Sequence, residues 1–493
     1  MLLLGIDLGT SSVKVSVVDA QTTNCIASAQ YPEAESGITS LKPGWAEQSP
    51  ETWWQHVQEA ILKLHASKRY DPRDIGAIGI AYQMHGLVIL DKQSHVLRDS
   101  IIWCDSRAVD LGNLAFEKIG REKCLGRLLN SPGNFTASKL AWVKEHEPGI
   151  YAKVDKAMLP GDYIALRMTG NVTISVAALS EGVFWDFASD GLSEDVFGYY
   201  GLQTSVIPGI RDVFADHGAI SDAVAERLGL KKNVPVTYKA GDQPNNALSL
   251  NVLNPGEVAA TAGTSGVIYA VSDQLVFDKE SRVNSFAHVN YTHQQKRIGV
   301  LLNINGTGIL NRWIKTISGD QLGYAAMNKL ASSVKAGCDG LQMLPFGNGA
   351  ERMLNNRTID AHIHHINFNL HHNGHLYRAA QEGIAFAFRY GLDIMRENGI
   401  NPSIIRAGKA NMFLSDVFLE SFVNTTGVAV ELYNCDGSVG AAIGAGIGAG
   451  TFKNPREAFQ NFKPLEKKEP RNTQLYDELY ASWKKTLLKQ ITG

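Results

Sequence analysis

Residues 5–19 read Gly5-Ile-Asp-Leu-Gly-Thr-Ser-Ser-Val-Lys-Val-Ser-Val-Val-Asp19, a strand–turn–strand pattern. The apolar start belongs to a short strand from Leu2, and the valines after the turn alternate with polar residues as in a second strand. The turn of small hydroxyl residues between them exposes backbone N–H groups to a phosphate oxygen. Asp7 lies where the first strand ends, and Lys14 adds a positive charge. The stretch therefore predicts a phosphate-binding hairpin, although one copy alone is equally typical of an ordinary β-turn.

The same pattern recurs 254 residues later. Gly263-Thr-Ser-Gly-Val267 repeats Gly9-Thr-Ser-Ser-Val13, and six of the eleven positions aligned with residues 9–19 are identical. Two copies of one hairpin predict a duplicated architecture with a phosphate group between the halves. The copies differ at Asp7, whose counterpart is Thr261. Because the acid occurs in only one copy, we expect it beside a metal ion rather than in a structural role.

The composition is that of an ordinary globular protein with two domains. The 493 residues are too many for one core, and 44% of them are hydrophobic and 19% charged. A net charge of −2 gives no general attraction to nucleic acid or to a membrane surface, so neither is an expected partner. The five cysteines contain no Cys-x-x-Cys pair, which favours a reducing compartment. Without a signal-peptide pattern or a long apolar run, the expected location is the cytoplasm.

A polar loop, Gln83-Met-His-Gly86, separates two apolar segments. Such loops carry ligand contacts in α/β proteins. His85 is a candidate donor to a substrate hydroxyl, and Met84 is a candidate apolar wall. The alternative is a hydrogen-bonded turn histidine beside a packed methionine. Trp103 either lines a sugar pocket with its indole face or belongs to the core.

An acidic residue follows the strand predicted over residues 234–240, within Gly241-Asp-Gln-Pro244. The carboxyl end of a strand, just before a helix, is the usual ligand position in an α/β fold. Asp242 is therefore a candidate general base, which must keep its carboxylate free for a substrate proton. It is equally a candidate helix N-cap.

Four other segments carry weaker signals. Gly306-Thr-Gly308 either approaches a nucleotide or packs within its loop. Residues 437–450 are dense in glycine without the Gly-x-Gly-x-x-Gly spacing, and we expect them to let a helix pack closely on its neighbours. Residues 178–210 are expected to form loops and short strands. Residues 362–375 hold six of the fourteen histidines, and a variable loop is favoured over a metal site there.

Together these segments resemble the FGGY family of carbohydrate kinases over essentially the whole chain. The resemblance is carried by Gly5–Lys14, Gln83–Gly86, Phe135-Thr-Ala-Ser-Lys-Leu-Ala-Trp142, Leu159-Pro-Gly-Asp-Tyr163, Gly241-Asp242 and Gly263-Thr-Ser-Gly266. It implies an α/β fold with two actin/ribonuclease H-like domains and an interdomain cleft. Residues 1–246 would bind the sugar and residues 247–493 the nucleotide. The chain departs from the family at residues 407–413, where a run of glycines against the adenosine is usual, and at residues 175–180, where an aspartate is common.

The resemblance also implies roles for individual residues. Asp242 falls on the family's catalytic base and Asp7 on the acid near the magnesium ion, so ATP and Mg²⁺ are the expected cofactors. Met84 and His85 fall on the family's sugar contacts, and Trp103 and Gln243 are further candidates for sugar binding. Thr10, Lys14 and Thr264 fall on positions that approach the nucleotide phosphates. Further candidates for nucleotide binding are Ser11, Gly263, Gly306 and Asn411.

The expected reaction is transfer of the γ-phosphoryl group of ATP to a ketopentose, with Asp242 accepting the proton of the attacking hydroxyl. Within this family, Gln-Met-His-Gly points to D-xylulose and thus to D-xylulose 5-phosphate and ADP as products. The alternatives are other family substrates, such as ribulose, a deoxy-ketose or glycerol. A remoter rival is an actin-like ATPase switch, which shares the fold but gives the Gln-Met-His-Gly loop no purpose. The sugar and ATP are the expected partners, and a homodimer is one possible assembly.

Overall fold

The computed structural model describes residues 1–318 and 322–492. Its strands, in chain order, are β1 Leu2–Leu8, β2 Val13–Asp19, β3 Cys25–Tyr31, β4 Glu47–Gln48, β5 Ile75–Tyr82, β6 Val88–Leu90, β7 Ser100–Ile101, β8 Lys156–Met158, β9 Thr173–Ser175, β10 Trp185–Asp186, β11 Gly191–Leu192, β12 Gly209–Arg211, β13 Val236–Gly241, β14 Glu257–Ala262, β15 Gly266–Ser272, β16 Asn284–Ala287, β17 Ile298–Ile304, β18 Gln342–Phe346, β19 Asp360–His364, β20 Ile404–Gly408, β21 Val430–Tyr433 and β22 Glu466–Lys468. Its α-helices are α1 Pro50–His65, α2 Val109–Ile119, α3 Arg121–Leu128, α4 Thr136–His146, α5 Pro148–Tyr151, α6 Pro160–Thr169, α7 Val176–Glu181, α8 Glu194–Tyr200, α9 Asp222–Leu228, α10 Asp242–Ser249, α11 Gly308–Ile317, α12 Tyr324–Ser332, α13 Asn373–Glu397, α14 Asp416–Thr426, α15 Gly437–Gly448, α16 Pro455–Ala458 and α17 Thr473–Thr492.

Two sheets repeat one topology. The first has the order β13-β5-β1-β2-β3, in which β1, β2 and β3 are antiparallel neighbours and β13, β5 and β1 are parallel. The second contains the corresponding run β21-β20-β14-β15-β17 with the same parallel and antiparallel pairs, and β16 and β22 extend its edges. The repeated hairpin of the sequence thus lies at the centre of both sheets, and the predicted α/β fold class is confirmed. The boundary between residues 246 and 247, which falls within α10, stays a prediction.

The glycine-dense helix α15 comes late in the chain but packs against the first sheet, on β1, β5 and β13. Glycines make this possible on the sheet side. A Cβ built on Gly5 would lie 1.8 Å from Ser438 O, and one on Gly79 would lie 2.0 Å from Ala441 O. The predicted close packing of this helix is therefore confirmed, and it brings the start of α15 to the end of β1.

Two expectations about local structure are wrong. Residues 178–210 include part of α7 and all of α8, because serine side chains cap both helices. Ala178 N donates to Ser175 Oγ at 3.1 Å, and Val196 N donates to Ser193 Oγ at 3.3 Å.

The histidine-rich segment is not one loop. His362 and His364 belong to β19, and His375 belongs to α13, where its Nε2 lies 3.2 Å from Asp339 Oδ2. The described parts of the chain contain no group of three or more histidine, cysteine or acidic side chains that could hold a metal ion. The same parts contain no helix of sufficient length and apolar character to span a membrane.

Candidate active site

Three aspartates from three separate elements meet where the two halves of the chain join. Asp7 is in β1, Asp242 is the first residue of α10, and Asp436 is the N-cap of α15. A Cβ built on Gly437 would lie 2.3 Å from Asp7 Oδ2, so the carboxylate of Asp7 lies against the start of α15. Lys14 approaches from β2, with Nζ 3.6 Å from Asp436 Oδ2. The two acids named from the sequence therefore belong to one site, and Asp242 follows its N-cap, Gly241, instead of being the cap itself.

Burial raises the pKa of both predicted acids. The pKa of Asp7 rises to about 7, since burial is reinforced by the charges of Asp242 and Asp436 and only partly opposed by Lys14. The pKa of Asp242 rises to about 6, although the backbone and side chain of Gln243 donate hydrogen bonds to its carboxylate. A carboxylate with this pKa is ionised at neutral pH and more basic than an ordinary aspartate. It therefore suits a group that must accept a hydroxyl proton.

The donor set of the site fits Mg²⁺. This ion prefers oxygen ligands, keeps several waters, and is usually held by one or two carboxylates together with substrate phosphates. Asp7 supplies such a carboxylate, with Asp436 close to it.

Met84 and His85 lie in the loop that follows β5, and Met84 contacts the residue before Asp242. A Cβ built on Gly241 would lie 2.6 Å from Met84 Cγ, so the Met84 side chain packs against the residue that precedes Asp242. The His85 backbone is left-handed, with a φ of 62°. Its ring packs against Phe135 and against Phe286 of β16, with ring centroids 4.8 Å and 5.3 Å away. The loop of residues 83–86 therefore contacts both halves of the chain.

The hydrogen bond of His85 reverses the donor role expected from the sequence. Its Nδ1 lies 3.0 Å from the main-chain oxygen of Glu181, which can only accept, so Nδ1 carries the proton. Burial, and after it the positive charge of Lys139, lowers the pKa of His85 to about 3, so the ring is neutral. Nε2 is then an acceptor. A substrate hydroxyl at this ring would donate a hydrogen bond to it.

Trp103 is not a core residue, because 53% of it is exposed. Its Nε1 donates to Thr10 Oγ1 at 2.9 Å, and Thr10 Oγ1 in turn donates to Gln83 Oε1 at 3.1 Å. Trp103 thus connects the first turn to the Gln-Met-His-Gly loop. Ser11, next to Thr10 on the turn, is exposed.

A cavity of about 330 Å³ opens beside the second turn. Its lining includes three of the predicted nucleotide contacts, Gly263, Thr264 and Asn411, together with Arg312 of α11 and Tyr324 of α12. Its volume is within the range of small-ligand pockets. This side of the second sheet therefore offers room for part of a nucleotide.

Gly306 is placed differently from the expectation. A Cβ there would lie 1.4 Å from Pro345 O, so this glycine packs against β18. The glycine next to the turn is Gly308, whose N donates to Gly263 O at 2.8 Å. The alternative of loop packing describes Gly306, and the close approach to the second turn belongs to Gly308.

Three ionisable residues at the site were not identified from the sequence. Asp436 is recognisable only as an acid before a glycine-rich helix. Glu181 is buried beside His85, at the end of a helix that the sequence did not indicate. Arg352 donates to Asn284 Oδ1 and, through its charge, contributes to the low pKa of His85. All three reach the site by contacts between segments far apart in the chain.

Comparisons with known proteins agree with this geometry. The N-terminal domain of the FGGY family of carbohydrate kinases matches residues 2–249, and its C-terminal domain matches residues 258–449. The chain belongs to the FGGY family of carbohydrate kinases. It is 30% identical to a xylulose kinase of Escherichia coli strain K12 over 466 residues, which cover 94% of this chain and 92% of that protein.

Solved structures show the same fold. The crystal structure of xylulose kinase from Rhodospirillum rubrum has a TM-score of 0.88 and 25% sequence identity, and all of both chains is covered. A Plasmodium falciparum glycerol kinase with ADP has the same TM-score of 0.88 at 19% identity, covering 99% of this chain and 98% of that one. The two-domain kinase fold is thus shared by enzymes with different substrates. The chain is a carbohydrate kinase that uses ATP. The shared fold alone does not identify the substrate that it phosphorylates.

Proposed function

We propose that the chain phosphorylates D-xylulose with ATP, giving D-xylulose 5-phosphate and ADP. The main support is the packing of the Met84 side chain against Gly241, because it brings the loop that carries His85 next to the residue that precedes Asp242. The similarity to xylulose kinases over nearly the whole chain supports the choice of this ketopentose. Cytoplasmic location and a homodimer accompany this proposal as predictions.

In the proposed reaction, Asp242 accepts the proton of the terminal sugar hydroxyl while that oxygen attacks the γ-phosphorus of ATP. Residues 9–12 and 263–265 face the triphosphate from the two halves, and their backbone N–H groups bind its oxygens. Asp7 would hold Mg²⁺ through water, and the bound ion would neutralise charge on the phosphates. Thr10, Ser11 and Lys14 act on the phosphate side, whereas Trp103 and Gln243 act on the sugar side.

The substrate is tested by measuring ADP release from purified protein with D-xylulose, D-ribulose, a deoxy-ketose, glycerol and no sugar. We expect the highest kcat/KM with D-xylulose and a product phosphorylated at the terminal carbon, which ³¹P and ¹³C NMR identify. A higher kcat/KM with glycerol or D-ribulose would transfer the proposal to that substrate. ADP release at the same rate without sugar would favour an ATPase switch instead.

Replacement His85→Ala is expected to raise the KM for the sugar about tenfold and to leave the KM for ATP nearly unchanged, because one neutral hydrogen bond to the sugar is lost. His65→Ala is the matched control. It removes a partly buried histidine of α1 whose Nδ1 is 2.6 Å from Tyr70 Oη, and it should alter neither KM. A larger increase in the KM for ATP than for the sugar would remove His85 from the sugar site.

A further inference from the structure

Lys139 and Glu181 flank the His85 peptide from two helices, and the reaction described above uses neither of them. Lys139 belongs to α4, and its Nζ donates to His85 O at 2.8 Å and to Ile102 O at 3.0 Å. Glu181 ends α7, and its Oε1 faces His85 N at 3.5 Å. Both the N–H and the C=O group of His85 are therefore in contact with a buried ionisable side chain.

A left-handed backbone is uncommon for histidine and needs support from its surroundings. The φ of 62° at His85 turns its peptide groups toward α4 and α7, where Lys139 and Glu181 lie. These two side chains are almost completely buried, with 0% and 2% exposure. They fix the backbone from which the imidazole ring projects.

The main chain of Glu181 also fixes the chemistry of the ring. Its carbonyl oxygen accepts from His85 Nδ1 at 3.0 Å, which leaves Nε2 unprotonated in a neutral ring. None of the described residues provides a hydrogen-bond partner for Nε2. Phe135 and Phe286 pack on the ring and hold its plane, so Nε2 has one direction in which to accept.

Two acids, Asp242 and Asp162, act on the carboxyl group of Glu181, and none of the described cations forms an ion pair with it. Burial, and after it the charges of Asp242 and Asp162, raises the pKa of Glu181 well above the usual range, although the hydrogen bond from His85 N opposes this shift. Its Oε2 would be 2.6 Å from a Cβ on Gly241, so it fills the space behind the residue before Asp242. From this position Glu181 accepts the hydrogen bond of His85 N and so supports the His85 backbone.

We propose that Lys139 and Glu181 are positioning residues for sugar recognition: they hold His85 with its Nδ1 protonated and its Nε2 directed as an acceptor for one donating sugar hydroxyl. This inference rests on the proposed function, because that function assigns the sugar contact to His85. It predicts selectivity of one kind. A sugar analogue in which the contacted hydroxyl is replaced by fluorine cannot donate and should lose affinity.

The protonation state is tested first, on the full-length protein labelled with ¹⁵N-histidine and without any sugar. Long-range ¹H–¹⁵N spectra distinguish the two neutral ring forms, and the spectrum of His85→Ala identifies the signal of His85. We expect a neutral ring protonated at Nδ1 throughout pH 6–8. A ring protonated at Nε2, or a doubly protonated ring, would overturn the inference even if D-xylulose is the substrate.

The positioning role is tested by the KM values of Glu181→Leu and Lys139→Met. We expect the KM for D-xylulose to rise about tenfold in each, as for loss of one hydrogen bond, with the KM for ATP within about twofold of wild type. Glu181→Gln keeps an acceptor oxygen and should recover much of the affinity lost in Glu181→Leu. Unchanged sugar KM in both variants, or equal rises for sugar and ATP, would contradict the role.

Lys144→Met is the matched control for Lys139→Met. Lys144 lies on the same helix and donates to a main-chain carbonyl, Tyr200 O, at 2.8 Å, but it does not contact His85. Its replacement should leave both KM values unchanged. If Lys139→Met or Glu181→Leu fails to fold, the protonation state of the His85 ring in the wild-type protein still tests the inference. If no ketose is phosphorylated, the proposed function is wrong. The NMR experiment contains no sugar, so its result on the His85 ring does not depend on that outcome.

Discussion

The variant Asp242→Asn is expected to lower kcat by about 10²- to 10⁴-fold, the usual contribution of a general base. The amide has nearly the same shape but cannot take the hydroxyl proton. At pH 7.5 the native carboxylate is ionised, because its pKa of about 6 lies below that pH, and it is ready to accept. Binding of ATP should persist, since the proposed nucleotide contacts lie on the two turns and in the cavity beside residues 263 and 264.

Turnover and nucleotide affinity must be measured on the same preparation, by ADP release and by calorimetric titration with ATP. Asp222→Asn is the matched control, because Asp222 is also the first residue of a helix but is exposed and paired with Lys232. It should retain full activity. Turnover of Asp242→Asn within about threefold of wild type would remove Asp242 from the role of base.

The variant Gly5→Ala is expected to lower the free energy of unfolding by about 1–3 kcal/mol, the typical cost of overpacking. Its new Cβ would lie 1.8 Å from Ser438 O and 2.4 Å from Ala442 N, so α15 would have to move away from β1. Turnover should fall as well, because Asp436 and Gly437 at the start of α15 lie against Asp7. A change at a glycine, which has no side chain to take part in catalysis, would then impair the catalytic site.

Urea unfolding measures the first effect and ADP release the second. Gly126→Ala is the control, because a Cβ added to this helical glycine of α3 would meet no neighbouring atom within 4 Å, and alanine there should be neutral or stabilising. If Gly5→Ala unfolds at the urea concentration of the wild-type protein and retains its turnover, α15 does not hold the site together.

The fold could be predicted because it repeats a local pattern. Residues 9–13 and 263–267 can be aligned by eye, and each predicts its own hairpin from alternation and turn residues. The position of Asp242 also followed from a local rule, a strand followed at once by an acid and a helix. The predicted fold class and family are confirmed by the sheet topology and by the family match.

The rest of the site depends on contacts that no local pattern encodes. Asp436 and Asp7 are far apart in the sequence, and only the packing of α15 on the first sheet brings them together. Glu181 belongs to a helix of six residues, which is too short to show a helical periodicity of apolar residues. Its position beside His85 could therefore not be predicted from the sequence. The acceptor role that the structure favours for His85 was not indicated by the sequence either, because the state of an imidazole is set by its neighbours.

The central claim is that two related turns hold one triphosphate while Asp242 takes the proton of a sugar hydroxyl. A crystal structure of the protein with D-xylulose, Mg²⁺ and a non-hydrolysable ATP analogue tests it most directly. We predict phosphate oxygens bound by both residues 9–12 and residues 263–265, and an Asp242 carboxylate within about 3.2 Å of the terminal hydroxyl. A triphosphate held by one turn alone, with Asp242 directed away from the sugar, would contradict the account.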